Sequence, residues 1–288
     1  MTFKSPFALA AFFSASFLCY SAYAADTIDK GSISSGNVEI IGRFQEAQPS
    51  GIAALPDGRL VLGFPRSVKD HSGPRLATYA NGHLTPFPDA ATQDRFVSPL
   101  GMTLDAKGHL WVLDEGMLAG QGTVPGAQKL FEIDPGTNSV LNVLSLSAPT
   151  LLPDSHVNDV RIDLTHGKAG TAFITDTSTG IHPALIVVDL ASGRQRRILA
   201  DTKPVMPETG FVAVMDGRAA RYDANHAQMP QGGANGIGIS PDQQTLYWQP
   251  QTSRRLYSAP TSVLSDRTAT EKRIEASVRD EGETGMGD

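Results

Sequence analysis

Apolar and polar positions alternate along the chain in a phrase that recurs. It is clearest at Asn235-Gly236-Ile237-Gly238-Ile239-Ser240-Pro241-Asp242, followed by Thr245-Leu246-Tyr247-Trp248. An apolar strand meets a tight polar turn, and a second strand rich in β-formers follows. The same phrase runs from Ser50 through Pro56-Asp57-Gly58 to Leu62, and from Leu100 through Asp105-Ala106-Lys107-Gly108 to Val112. A looser copy begins at Asn158, with Gly170–Ile174 as its second strand. The leading residues Ser50, Leu100, Asn158 and Asn235 lie 50, 58 and 77 residues apart. A strand–turn–strand unit repeated at such a period predicts an all-β β-propeller, because one unit cannot bury both of its apolar faces and stacked units can.

Further strands fill each unit. Asn81-Gly82 between Leu76–Tyr79 and His83–Phe87 is a hairpin signal that completes a first blade. Met102–Leu104, Leu110–Leu113, Lys129–Ile133 and Val140–Leu144 make a second. Val160–Ile162, Thr171–Asp176, Ala184–Leu190 and Arg194–Leu199 make a third, with Leu185-Ile186-Val187-Val188 reading as a strand buried on both faces. Gly236–Ile239, Leu246–Gln249, Arg255–Ala259 and a strand near Arg273–Val278 make a fourth. Val38–Phe44 reads as an isolated first strand. Gly116–Gln128 and Lys203–Ala234 are the long interruptions, the latter with room for a strand at Gly210–Met215.

The two ends change the picture. Lys4, the uncharged apolar run Phe7–Tyr20 and Ala22-Tyr23-Ala24 read as a secretory signal peptide over residues 1–24, which predicts a secreted or periplasmic protein. Residues 25–37 read as a flexible segment, and 38–288 as the propeller domain. Cys19 is the only cysteine and leaves with the leader, so the mature chain has no disulfide and no thiol nucleophile. The formal charge of −6 becomes −7 once Lys4 is gone, which argues against nucleic acid or an anionic membrane as partner. Glu283–Asp288 falls where a fifth phrase would begin, so the expectation is about four blades, the edge of a fifth, and an incomplete, truncated ring.

The leading residues of the inner strands should ring one mouth of the axial channel. Asn158 and Asn235 there suit a hard cation or a hydroxyl-bearing ligand, or else hydrogen-bond the backbone at strand starts. Asp159 follows Asn158. Asp114-Glu115 ends a second strand and could bind an ammonium group or act as acid and base, or be a solvated turn; Asp176 ends the matching strand of the third blade. His156, beside a mouth position, reads as a structural residue or a base. The histidines show no zinc spacing, and there is no nucleophile elbow, phosphate loop or dinucleotide fingerprint.

Ser50-Gly51 to Phe64-Pro65-Arg66, Trp111-Val112-Leu113-Asp114, His156-Val157-Asn158-Asp159-Val160-Arg161, Ala184–Leu190 with Ser192-Gly193-Arg194, and Leu246-Tyr247-Trp248 to Ser253-Arg254-Arg255-Leu256-Tyr257 together resemble the bacterial branch of the major royal jelly protein/yellow family. That resemblance implies a secreted six-bladed propeller that binds small amines or carries pigment-linked chemistry such as dopachrome tautomerisation. A more distant likeness to regucalcin–gluconolactonase propellers implies a divalent cation, Ca²⁺ or Zn²⁺, held at Asn158, Asn235 and Asp288. The early Glu of that set has no counterpart in register here, Glu46 lying out of step. The leading expectation is a small polar or aromatic-amine ligand at the channel mouth, held by Asp114, Glu115, Asn158, Asp159, Asp176 and Asn235. The alternatives are a metal-dependent lactonase, a dopachrome-tautomerase-like enzyme and an inactive truncated product.

Overall fold

The computed structural model describes residues 39–178, 182–215, 218–219 and 231–284. The expected signal peptide, the flexible segment and Asp288 lie outside the described residues. Met1–Arg43 and Phe44–Asp288 are separate units. In the first, the described residues 39–43 carry no strand, and Ile40 and Ile41 are exposed. The strand expected over Val38–Phe44 is therefore absent from its described part.

In the second unit the repeat becomes four antiparallel sheets of four strands. The first is β1 (Ile52–Ala54), β2 (Leu60–Gly63), β3 (Leu76–Ala80) and β4 (His83–Pro86). The second is β5 (Pro99–Leu104) and β6 (Leu110–Asp114), with β9 (Lys129–Asp134) and β10 (Ser139–Ser145) outside them. A small hairpin of β7 (Met117–Leu118) and β8 (Gly122–Thr123) interrupts that sheet's connection. The third is β11 (Val157–Asp163), β12 (Thr171–Asp176), β13 (Ala184–Asp189) and β14 (Gln195–Ile198). After a short hairpin of β15 (Val214–Met215) and β16 (Arg218–Ala219), the fourth is β17 (Ala234–Ile239), β18 (Thr245–Pro250), β19 (Arg255–Pro260) and β20 (Arg279–Glu283). In every sheet the strands run in chain order from inside to outside. The inner strands neighbour one another, β1 with β5, β5 with β11 and β11 with β17. These are the blades of an all-β propeller.

The turn chemistry behaves as expected. Asn81 and Gly82 both take positive φ, 50° and 83°, as a two-residue hairpin turn requires. The blades are glued by period-two alternation. On β6, Leu110 and Val112 join a cluster with Val61, Leu76 and Phe87 of the first blade, while Trp111 and Leu113 join one with Val160, Ile174 and Ile186 of the third. On β13, Ile186 and Val188 face back towards the second blade, and Leu185 and Val187 face forward onto Trp248 and Ile237 of the fourth. Each such buried aliphatic or aromatic side chain contributes ~1.5–3 kcal/mol.

The fourth blade corrects one expectation. The strand placed near Arg273–Val278 is a helix, α2 (Glu271–Ser277), preceded by α1 (Thr261–Ser265). Thr270 caps it by accepting a hydrogen bond from the Arg273 N–H, and Glu271 sits favourably in its first turn. Glu, Lys, Arg and Ala favour helix, and Ile274 alone needs burial, which one helical face provides. The outer strand slot passes instead to the polar segment Arg279–Glu283, held by Arg255 Nε on Asp280 at 2.7 Å. Among the described residues no helix is long and apolar enough to cross a membrane.

Candidate functional site

The inner strands approach closely where their leading residues lie. A Cβ on Gly51 would stand 2.1 Å from the Leu100 carbonyl oxygen, and one on Gly101 2.5 Å from that of Asn158. Only glycine lets these backbones meet. Each of β5, β11 and β17 also breaks register there: between Pro99 and Met102, between Val157 and Val160, and between Ala234 and Gly236. Such bulges re-aim side chains at a strand end.

Two aspartates lock the loops that lead into these strands. Asp114, at the end of β6, accepts N–H groups of Val97 (2.6 Å), Ser98 (2.8 Å) and Gly116 (2.8 Å). Asp176, at the end of β12, accepts N–H groups of His156 (2.8 Å) and Ser178 (3.1 Å), the Ser155 hydroxyl (2.6 Å) and Arg197 Nη1 (2.5 Å). Both are fully buried. Burial pushes Asp114 up to about 6 against its three N–H partners, and the neighbouring Glu115 charge adds to the rise. Their oxygens are thus turned on the backbone, the Ser155 hydroxyl and Arg197, not outward.

Glu115 is equally buried but does something else. The Ser98 hydroxyl, itself accepting the Arg66 N–H at 2.7 Å, donates to Glu115 Oε1 at 2.9 Å. His156 Nε2 lies 2.7 Å from Oε2. With Glu115 ionised, Nε2 carries the hydrogen, which leaves Nδ1 as the acceptor nitrogen. Among the described residues Nδ1 has no hydrogen-bond partner. The imidazole is 28% exposed. Burial works against its protonation, but the Glu115 hydrogen bond and the charges of Glu115 and Asp176 outweigh burial and lift it above its ordinary 6.5.

Glu115, His156 and Asn158 line a cavity of about 710 Å³ with Ser50, Leu100, Pro65, Val68, Lys69 and the segment Phe44–Pro49. That volume lies within the range of small-molecule sites. A shallower recess of about 250 Å³ adjoins it along Gly51, Gly101, Asn158, Asp159 and Arg161. In it Asp159 accepts from Arg161 Nη1 at 3.0 Å. Of the residues singled out from sequence, the structure therefore gathers Glu115 and Asn158 on the cavity, with Asp159 beside them. Asp114 and Asp176 stand behind the wall. Asn235 is not among the described lining residues; its carbonyl accepts the Thr175 hydroxyl at 2.8 Å.

From sequence alone His156 has two readings, a structural residue or a base, and Ser98 is not singled out. The repeat marks them, since each sits two places before a leading residue, Asn158 and Leu100. Glu46, out of register by sequence, reaches the cavity wall. Among the described residues, the group of His, Asp and Glu atoms close enough to share a metal is Asp105, His109 and Glu132, at the start of β6 and so at the other end of that strand from Glu115. Asp105 there is engaged by the N–H groups of Lys107 and His109 and by Trp111 Nε1.

The chain is similar to several solved structures at low identity and low TM-score. The propeller of Dos1 is 11% identical over 74% of this chain and 44% of that one, with a TM-score of 0.43. An auxiliary nutrient binding protein from Bacteroides ovatus is 11% identical over 76% of this chain and 46% of that one, at 0.44. The Cps50 (Swd1) β-propeller domain of Myceliophteria thermophila is 13% identical over 76% and 58%, at 0.37. This chain thus spans roughly half the length of those solved chains. No curated protein matches. The family model for Major royal jelly protein matches residues 97–286, from the loop before β5 past the end of β20 and well over half of the sequence. The chain belongs to the major royal jelly protein family.

Proposed function

We propose that this is a secreted or periplasmic member of its family that binds a small polar or aromatic-amine ligand in the cavity at the mouth of the inner strands. The observation that carries this reading is the convergence of Glu115, His156 and Asn158, from two successive blades, on one cavity of ligand size. A fully buried carboxylate is costly to keep unless it holds something in place, and here it holds an imidazole at the cavity wall. Phe44, Pro65, Val68 and Leu100 offer apolar surface to a ring, and Glu46 offers a carboxylate to an ammonium group. The leader sequence Met1–Ala24 supports export. Titration calorimetry with a panel of aromatic amines tests the binding. A saturable heat that falls in Glu115→Gln and Asn158→Ala supports it, and an absence of heat from the folded chain overturns it.

A further inference from the structure

The turn that closes the inner hairpin is built alike from blade to blade. In the second blade the Asp105 N–H donates to the His109 carbonyl at 2.9 Å. The Leu55 N–H donates to that of Arg59 at 2.8 Å in the first blade, and the Ser240 N–H to that of Thr245 at 2.9 Å in the fourth. Two residues further on, Trp111, Val61 and Tyr247 pair with Glu132, Thr78 and Ser258 of the neighbouring strand. The same joint thus carries Leu55, Arg59 and Thr78 in one blade and Ser240, Thr245 and Ser258 in another. The third blade keeps the acid, as Asp163, with Thr171 and Val187 at the other two places. The fold therefore does not require an acid, an imidazole and a second acid at this joint. The second blade nevertheless puts Asp105, His109 and Glu132 there, with one ligand-capable atom of each within 4.8 Å of the others.

We propose that Asp105, His109 and Glu132 form a site for a divalent transition-metal ion of the Zn²⁺ type. Asp105 is buried and held in place by three donors. Its Oδ1 accepts the N–H groups of Lys107 at 2.8 Å and His109 at 3.0 Å, and its Oδ2 accepts Trp111 Nε1–H at 3.0 Å. A single donor leaves Oδ2 a second lone pair for an ion. The indole is then the outer hydrogen bond that orients a ligating carboxylate. His109 Nδ1 lies 2.8 Å from one oxygen of Glu132, and the other oxygen has no hydrogen-bond partner among the described residues. The ion takes the place of the hydrogen between these two side chains. It binds Nδ1, the imidazole hydrogen moves to Nε2, and Glu132 turns from hydrogen-bond acceptor into ligand. The His109 and Glu132 side chains are 27% and 20% exposed, so the ion has a way in and water completes its coordination. One imidazole with two carboxylates favours Zn²⁺ over Ca²⁺ and Mg²⁺, which take oxygen ligands.

Zn²⁺ itself is the probe, added to the full chain without an affinity tag at about pH 7.5, where a free imidazole is mostly neutral. Calorimetry should show a single equivalent bound, and Ca²⁺ at the same concentration should give no heat. His109→Gln and Glu132→Gln should each lose the Zn²⁺ heat. Trp111→Phe, which removes the hydrogen bond to Asp105 but keeps an aromatic ring, should weaken binding about tenfold or more. Thermal unfolding without metal shows that the variants compared are folded. Nitrogen NMR of the imidazoles needs no variant: in the unmodified protein one ring should take the ion, and on Nδ1. No Zn²⁺ heat, full affinity in His109→Gln, or an ion on Nε2 or on more than one ring would overturn the site. A Ca²⁺ heat as tight as that of Zn²⁺ would overturn the class of ion. The site lies at the other end of β6 from Glu115, so each of these outcomes leaves the ligand-binding reading of the cavity untouched.

Discussion

Glu115 and Thr177 hold the same place in successive blades, one residue past the buried aspartate that ends the second strand, and each reaches into the blade that follows. Thr177 donates its hydroxyl to the Ala234 carbonyl at 2.9 Å. Glu115 meets His156 at 2.7 Å. The backbone repeats as well: the Glu115 N–H donates to the Ser98 carbonyl at 3.0 Å, and the Thr177 N–H to that of His156 at 2.9 Å. A position that is a neutral inter-blade tie between the third and fourth blades is an acid–imidazole pair between the second and third. The site is thus a change of side chains at a structural joint, and its geometry comes from the joint.

That pair should make stability depend on pH with a definite sign. His156 is raised above 6.5 in the fold, so its contribution is fully present below that value and is lost as pH rises through the folded value. The melting temperature should therefore fall from mildly acidic to mildly alkaline pH, and His156→Gln should flatten that slope. Glu115→Gln should flatten it too and cost about 1–3 kcal/mol near neutrality, because an amide cannot accept from both Ser98 and His156. A wild-type slope retained in both variants would show that the dyad does not titrate with folding.

Asp114 makes an independent case. Its folded value of about 6 lies above the unfolded 3.8, so the stability it contributes is present below 3.8 and is lost as pH rises through about 6. Asp114→Asn removes that titration. It also turns an NH₂ group against one of the N–H groups of Val97, Ser98 and Gly116, which should cost about 1–3 kcal/mol at neutral pH. Urea unfolding of both proteins at several pH values measures both effects.

Three of the four blades were legible because the evidence for them is local. Turn residues and period-two alternation sit within a few residues of one another, and Leu185–Val188 declares burial on both faces by its composition. The fourth blade's outer strand was misplaced because Arg279–Glu283 has no apolar face to announce it, while Arg273–Val278 has one apolar residue that a helix buries as well. At the site, sequence marked Asp114 and Glu115 together. Asp114 ends the strand and turned to the backbone of its own blade, whereas Glu115, one residue past the strand, turned to the next blade. The partner of Glu115 lies 41 residues away, and only the stacking of blades brings His156 to it.

The close approach of inner strands should be intolerant of a single methyl group. A Cβ at Gly101 would stand 2.6 Å from Asp159 Cα as well as 2.5 Å from the Asn158 oxygen, both backbone atoms that cannot rotate away. Gly101→Ala should therefore destabilise by about 1–3 kcal/mol or more and weaken ligand binding by displacing Asn158. Gly108→Ala serves as a comparison: its Cβ would meet nothing within 4 Å, and its positive φ of 85° should cost only conformational strain, without a change in affinity.

Arg197 should prove the most sensitive charged position of the third blade. Its side chain is 11% exposed and joins Asp176, which is fully buried, at 2.5 Å. It also donates to the Thr150 carbonyl at 3.0 Å. Removing one partner of such a pair leaves the other charge in a poorly solvated place, which typically costs about 3–5 kcal/mol. Arg197→Ala should approach that loss in urea unfolding at neutral pH. Because Asp176 anchors the His156 N–H, the same variant should also loosen His156 and lower affinity for the cavity ligand. Restoring charge balance with the double change Arg197→Met and Asp176→Asn should recover much of the stability. It should leave affinity reduced, since the amide holds the His156 N–H through a weaker, uncharged bond. Full affinity in Arg197→Ala would show that the loop before β11 keeps its shape without the buried pair.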